Sequence, residues 1–137
     1  MIEDHRSVHL VHGPGNDGML LCLQIVKRAL LSGSSVFWLG GLPAAPARSV
    51  LGTVDEVWLS RLLIGSSESI DPDSAVLREA DLVIVWQWCT NHGRARKSEV
   101  TRLQRIMDSA DGRVVATSLG NQDASGAVGI TARSRPI

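Results

Sequence analysis

The residues that most constrain this chain are Gly13-Pro14-Gly15-Asn16-Asp17-Gly18, set between a short apolar run, Val8–Val11, and a long one, Met19–Leu31. A short apolar run bounded by turn residues reads as a buried strand and a long one as a helix, so the glycines mark a strand-to-helix turn. Gly13 and Gly18 have the spacing of a phosphate-binding loop, G-x-x-x-x-G-K-[ST]. Met19 stands where the lysine of that motif belongs, and Leu20 where its magnesium-binding hydroxyl belongs. A plain glycine-rich turn accounts for the same residues. Backbone N–H groups at the helix start would still attract an anion, because the helix dipole does not depend on side chains. Asp17 opposes that attraction.

The rest of the chain repeats the alternation. Ser35–Leu39 reads as a second strand, closed by the Gly40–Pro46 loop, and Pro46–Leu51 as a short helical piece. Glu56–Ser60, extending toward Leu63, is the expected third strand. Asp71-Pro72 suits a helix start, with Asp71 as N-cap and proline in the first turn, over residues 71–80. Leu82–Trp86 is the fourth strand. Ser98 is the expected cap of a helix to Ala110, whose Val100, Leu103, Ile106, Met107 and Ala110 share one face. Arg113–Ser118 is the fifth strand, and Ala127–Ala132 a candidate edge strand. Strands alternating with helices give an α/β fold: a parallel sheet covered by helices on both faces, in a single domain spanning residues 1–137. Residues 1–6 and 119–137 are expected to be loose ends.

Composition excludes several classes. The formal charge is zero, so no global field draws in nucleic acid, and binding of that kind needs a local patch. No apolar run reaches the roughly 20 residues of a transmembrane helix, so no membrane partner is expected. Acidic residues precede the first apolar segment, unlike a secretory signal. Cys22 and Cys89 make neither a disulfide framework nor a zinc motif, which fits a reducing cytoplasm. His5, His9, His12 and His92 have no metal-ligand spacing, and His9 and His12 would point to opposite faces of a strand and its exit. No metal is expected. Cys22 reads as a small buried hydrophobe, and neither Cys89 nor Ser118 has the surroundings of a nucleophile.

Taken in order, these features resemble the ATPase core of RecA/RadA-type recombinases over most of residues 7–122. The glycine loop follows the first strand. Val36-Phe37-Trp38-Leu39, with Pro46-Ala47-Arg48 in the loop beyond, looks like that family's second strand and its Pro-x-Arg. Glu56–Arg61 is similar to the third strand at the sheet edge. Leu82–Val85 looks like the Walker B strand, and Val114–Thr117 with Asn121-Gln122 like the next strand and its sensor. The resemblance implies a RecA-like three-layer fold with strand order 3-2-4-5-1. The departures imply lost catalysis. Met19 and Leu20 replace the P-loop lysine and hydroxyl, Trp86 stands at the Walker B acid, and Gly40-Gly41-Leu42-Pro43 carries no carboxylate to activate water. Such groups act together on the transferring phosphoryl, so ATP hydrolysis is not expected and no cofactor is assigned.

Two surfaces remain. Arg94, Arg96 and Lys97, extended by Arg102 and Arg105, form the one dense basic cluster, where the resemblance places a first DNA-binding loop, with the tail bearing Arg133 and Arg135 at the second. A solvated charged face is the commoner use of such a cluster. Trp38, Trp58, Trp86 and Trp88 are four of the five aromatics. Tryptophan is usually core, but Trp86 and Trp88, near a strand's carboxyl end, could flank the vacated nucleotide site and anchor a partner. The expectation is a shortened, non-catalytic recombinase-paralogue-like accessory protein in recombinational DNA repair. Its partner would be a recombinase, another paralogue or a second copy, with DNA contact through the basic loop. Little chain follows the fifth strand to cover the sheet edge there, which invites association. Two alternatives stand: a SulA-like regulator binding an unrelated protein such as a division protein, and an α/β protein holding a nucleotide or dinucleotide on the Gly13–Gly18 loop.

Overall fold

The computed structural model describes residues 7–13, 15–66, 70–71, 73–89, 93–119, 122–123 and 134–136. Its main sheet is built from β1 (Ser7–His12), β2 (Val36–Leu39), β3 (Leu62–Gly65), β4 (Leu82–Val85), β6 (Arg113–Leu119) and β8 (Ser134–Pro136). The order is β3-β2-β4-β6-β1-β8, and every pairing is parallel. Counted along the chain within this sheet, the first five strands fall in the order 3-2-4-5-1, with β8 added outside the first. Two further strands, β5 (Gly93–Arg94) and β7 (Gln122–Asp123), pair with each other alone.

Helices cover both faces, because each buried strand presents apolar residues alternately to either side. One face carries Leu10, Val36, Trp38, Leu82, Ile84 and Val115 against α1 (Asp17–Leu31) and α2 (Ala44–Leu51). The other carries Phe37, Leu39, Val83, Val85, Val114 and Ala116 against Leu77 of α4 (Ala75–Glu79) and Leu103 and Ile106 of α5 (Lys97–Ser109). Val100, Met107 and Ala110 join that second core, so the expected face of α5 is the one that packs. Helix α1 ends in a Schellman turn: Gly33 sits at φ +89°, its N–H bonds Leu30 O, and the Ser34 N–H bonds Ala29 O at 2.9 Å. Its outer side leaves Leu21 and Leu31 exposed despite the apolar composition of the run.

Three boundaries differ from the sequence reading for local reasons. Residues Glu56–Leu59 form a helical turn, α3, rather than a strand. Asp55 is its N-cap, its carbonyl accepts from the N–H groups of both Trp58 and Leu59 at 3.0 Å, and Trp58 and Leu59 pack onto the α1-side core. The edge strand is the fully apolar run just beyond, Leu62–Gly65. Second, α4 starts at Ala75, with Ser74 Oγ accepting the Val76 N–H. Asp71 instead closes a turn by accepting the Asp73 N–H at 2.9 Å, the usual local competitor of a cap. Third, Arg96 rather than Ser98 caps α5, because Glu99 reaches back to the Arg96 N–H at 3.0 Å. The chain also returns to the edge thought uncovered: β8 pairs with Ser7–His9 of β1. The open edge, among the described residues, is β3. Residues 127–132 lie outside the described residues.

Candidate functional site

In open parallel sheets ligands gather at the carboxyl ends of the strands. Here β1 ends in His12, β2 and β4 lead directly into Gly40 and Trp86, and β6 brings Thr117 and Ser118 alongside. His12 leaves β1 on the α1 side and lies across the start of α1. A Cβ at Gly18 would overlap the His12 imidazole, so the second glycine of the loop is required by that ring. The imidazole Nδ1 donates to Gly13 O at 2.9 Å. Its Nε2 is buried and has no hydrogen-bond partner among the described residues. The ring stacks on Trp86 (4.8 Å between centroids, 14°), and Trp86 stacks on Trp38 (5.9 Å, 24°). Trp38 is fully buried, and its indole N–H donates to Gly41 O at 3.2 Å. Three rings thus run from the core to the helix start.

The loop residues divide accordingly. Gly15 takes φ +96°, Asn16 caps α1 without a side-chain bond, and Asp17 lies in the first turn, where its charge suits the helix dipole. Met19 is buried in the α1-side core and Leu20 points outward, so neither side chain is aimed at an anion. Pro14 lies outside the described residues.

Trp86 and Trp88 are separated by a strained turn. Gln87 has φ +49°, costly for a non-glycine residue, and is held there by its N–H on Thr117 Oγ1 at 2.7 Å. The Trp88 N–H bonds Thr117 O at 3.0 Å, and Gly40, at φ +124°, lets the Trp86 backbone pass within 3.0 Å of where a Cβ would be. Trp88 turns to the α5 side and is buried. Its indole N–H, a donor only, meets His9 Nε2 at 3.2 Å, so that nitrogen is the acceptor and the Ser118 hydroxyl, 3.0 Å away, donates to it as well. His9 therefore carries its hydrogen on Nδ1, and burial lowers its pKa. His9 and His12 do face opposite sides, as the strand period requires. Neither residue was marked as part of a site by sequence reasoning. The available signal was parity: His12 falls on the Leu10 side of β1 directly before Gly13, and Trp86 on the Ile84 side of β4.

The basic residues sit elsewhere. Arg96, Lys97 and Arg105 are exposed and Arg102 is partly so, along the start and outer side of α5. The backbone at Arg94 pairs with that at Asp123, which joins the basic loop to the chain beyond β6. Burial pushes the thiols up, Cys22 to about 12 and Cys89 to about 11, so both stay protonated and poorly nucleophilic at neutral pH. Among the described residues no three His, Cys, Asp or Glu side chains gather into a metal-ligand set, and no helix is long and apolar enough to cross a membrane.

These features define an α/β protein with a parallel sheet and a ring-filled strand-to-helix turn at its carboxyl end. Compared with protein-family models and with curated proteins, the chain matches none of them.

Proposed function

We propose that the chain is a RecA/RadA-paralogue-like accessory protein of recombinational DNA repair, acting in the cytoplasm by binding a protein partner, without hydrolysing ATP. One observation carries the non-catalytic part: the His12 ring lies against Gly18, where a phosphate-binding loop needs open space, and Trp86 backs it. Without the lysine and hydroxyl that Met19 and Leu20 replace, the turn has lost the groups that stabilise a transferring phosphoryl. The all-parallel order β3-β2-β4-β6-β1 supports the family frame. It leaves function to the surfaces.

DNA contact is assigned to Arg94, Arg96, Lys97, Arg102 and Arg105, supported by the pairing of β5 with β7, which sets the basic loop beside the chain that follows β6. The test is gel-shift titration with single- and double-stranded DNA at two salt concentrations. The triple variant R94A/R96A/K97A is expected to weaken binding and lower the slope of log K against log salt by about 2–3, roughly 0.7–0.9 for each phosphate contact removed. An unchanged slope removes the loop from the proposal. Calorimetry with ATP, ADP and NAD tests the ring-filled turn, and micromolar binding of any of them would return the chain to the nucleotide-binding class.

A SulA-like regulator is the second reading, favoured by the open apolar edge at β3, where Leu63 and Ile64 are about half exposed. Co-purification separates the two: a recombinase paralogue supports the first, a tubulin-like division protein the second.

A further inference from the structure

The start of α5 carries a hydroxyl where the basic cluster is densest. Arg94, Arg96 and Lys97 lead into Ser98, and Arg102 and Arg105 follow it on the helix. Arg96, Lys97, Ser98 and Arg105 are exposed, and Arg102 is partly so. Residues four apart on a helix are surface neighbours, with Cβ atoms about 5–6 Å apart, so Arg102 stands one turn along from Ser98 on the same side. Arg105, seven residues on from Ser98, continues that side. Among the described residues, no hydrogen bond or ion pair engages the Ser98 hydroxyl or the charged ends of Lys97, Arg102 and Arg105. On α5 itself no carboxylate intrudes. Glu99 is buried and turned back to the Arg96 N–H. Asp108 lies about 15 Å farther along the helix axis than Ser98, at 1.5 Å per residue. We infer that Ser98 is a phosphorylation site: the basic run before it presents the serine to a protein kinase, and Arg102 with the start of α5 holds the phosphate.

Position in the helix selects Ser98 over its neighbour Thr101, which is also exposed. Ser98 is the second residue of α5, so its N–H is one of those with no partner inside the helix. Presenting it to a kinase cleft opens only the first turn. Thr101 lies beyond that turn, and its N–H is committed to the helix ladder, so presenting it requires further unwinding.

The step is a phosphoryl transfer from ATP. Ser98 Oγ forms a bond to the γ-phosphorus as the bond from that phosphorus to the ADP oxygen breaks. ADP leaves, and the hydroxyl proton passes to the kinase's carboxylate base. The product carries a charge of about −1.5 to −2 and three strong acceptor oxygens. At the first turn that charge suits the helix dipole, and the Arg102 guanidinium can donate charge-assisted hydrogen bonds to it. The same charge offsets about two cations of the surface assigned above to DNA, so the modification releases DNA. That consequence rests on the DNA reading; the site does not.

The test uses the purified full chain, ATP and the catalytic subunit of an arginine-directed serine kinase, with mass spectrometry as the readout. One phosphoryl group should be added, at Ser98. Ser98→Ala should lose it, Arg96→Ala should slow it, and Thr101→Ala should leave it unchanged, all three with the circular dichroism spectrum of the wild type. Phosphorus NMR then reads whether the phosphate is held. The second ionisation of an unconstrained phosphoserine lies at about pH 6; on the folded chain it should move lower, and in Arg102→Ala it should return toward that value. Absence of incorporation into the wild-type chain, incorporation that survives Ser98→Ala, or an Arg102→Ala titration identical to the wild type would overturn the site. Gel shift with a single-stranded oligonucleotide at low salt tests the consequence, and the phosphorylated chain should bind roughly tenfold more weakly. Equal affinity of the two forms overturns the release of DNA. If neither form binds, the DNA reading fails, while incorporation and the phosphorus titration still decide the site.

Discussion

Trp86 and Trp88 are two residues apart, and in a continuing strand they would share a face. They do not. Trp86 keeps the side set by β4, stays half-buried, and stacks its ring on His12 and Trp38. Trp88 crosses to the opposite core, 3% exposed, and is fixed by a hydrogen bond to His9. The cause is the turn between them: Gln87 at φ +49°, tied to Thr117, reverses the direction of the next side chain. One tryptophan completes the core, and the other lies at the carboxyl end of the sheet, where ligands gather in open parallel sheets.

The comparison implies unequal costs. Trp88→Ala should be the most damaging change, about 3–5 kcal/mol in urea denaturation, since it empties a buried site and removes a donor from buried His9. Trp86→Ala should cost about 1–2 kcal/mol, the scale of its stacking contacts. Equal losses would erase the distinction.

Gly18→Ala comes next. Its methyl group must displace the His12 ring, at a cost of about 1–3 kcal/mol. In a His12→Ala background most of that cost should vanish, a coupling that a double-mutant cycle measures. If Gly18→Ala is equally harmful with and without the ring, the turn is constrained by something other than His12.

The smallest expected effect is on pH. Burial lowers the His9 pKa below its usual 6.5, so near and below that value the unfolded chain binds more protons than the folded one. This contribution to stability is present above pH 6.5 and is lost as pH falls through the folded-state pKa. Urea midpoints measured between pH 7.5 and 5 should fall, and His9→Gln should reduce the drop. His9→Gln without effect on the slope would mean that the Trp88 side of the comparison is not held by a neutral imidazole.

Most of the fold was legible because it rests on local signals. The strands at Ser7–His12, Val36–Leu39, Leu82–Val85 and Arg113–Leu119 are apolar runs with glycine or charged boundaries, and α1 and α5 have a clear helical period. The errors fell where two local signals competed. Val57-Trp58-Leu59 has strand composition, but the Asp55 cap and packing on α1 make it helical. Asp71 can cap a helix or close a turn, and Ser74 takes the helix. At the candidate site the glycine spacing was visible and its occupant was not. Periodicity can place His12 on the α1 side, but nothing in the sequence brings Gly18 and Trp86 to either side of its ring.

The sequence by itself determined the alternation of strands and helices, the absence of the phosphate-loop lysine and hydroxyl, and the position of the basic cluster on the chain. These depend on residue type and spacing alone. Tertiary structure decided which side chain lies at the sheet end, where Trp88 goes, and which edge has no further strand among the described residues. Each of those depends on residues far apart in the chain, such as Thr117 holding Gln87 and β8 returning to β1, and contacts of that range carry no local pattern to be read in advance.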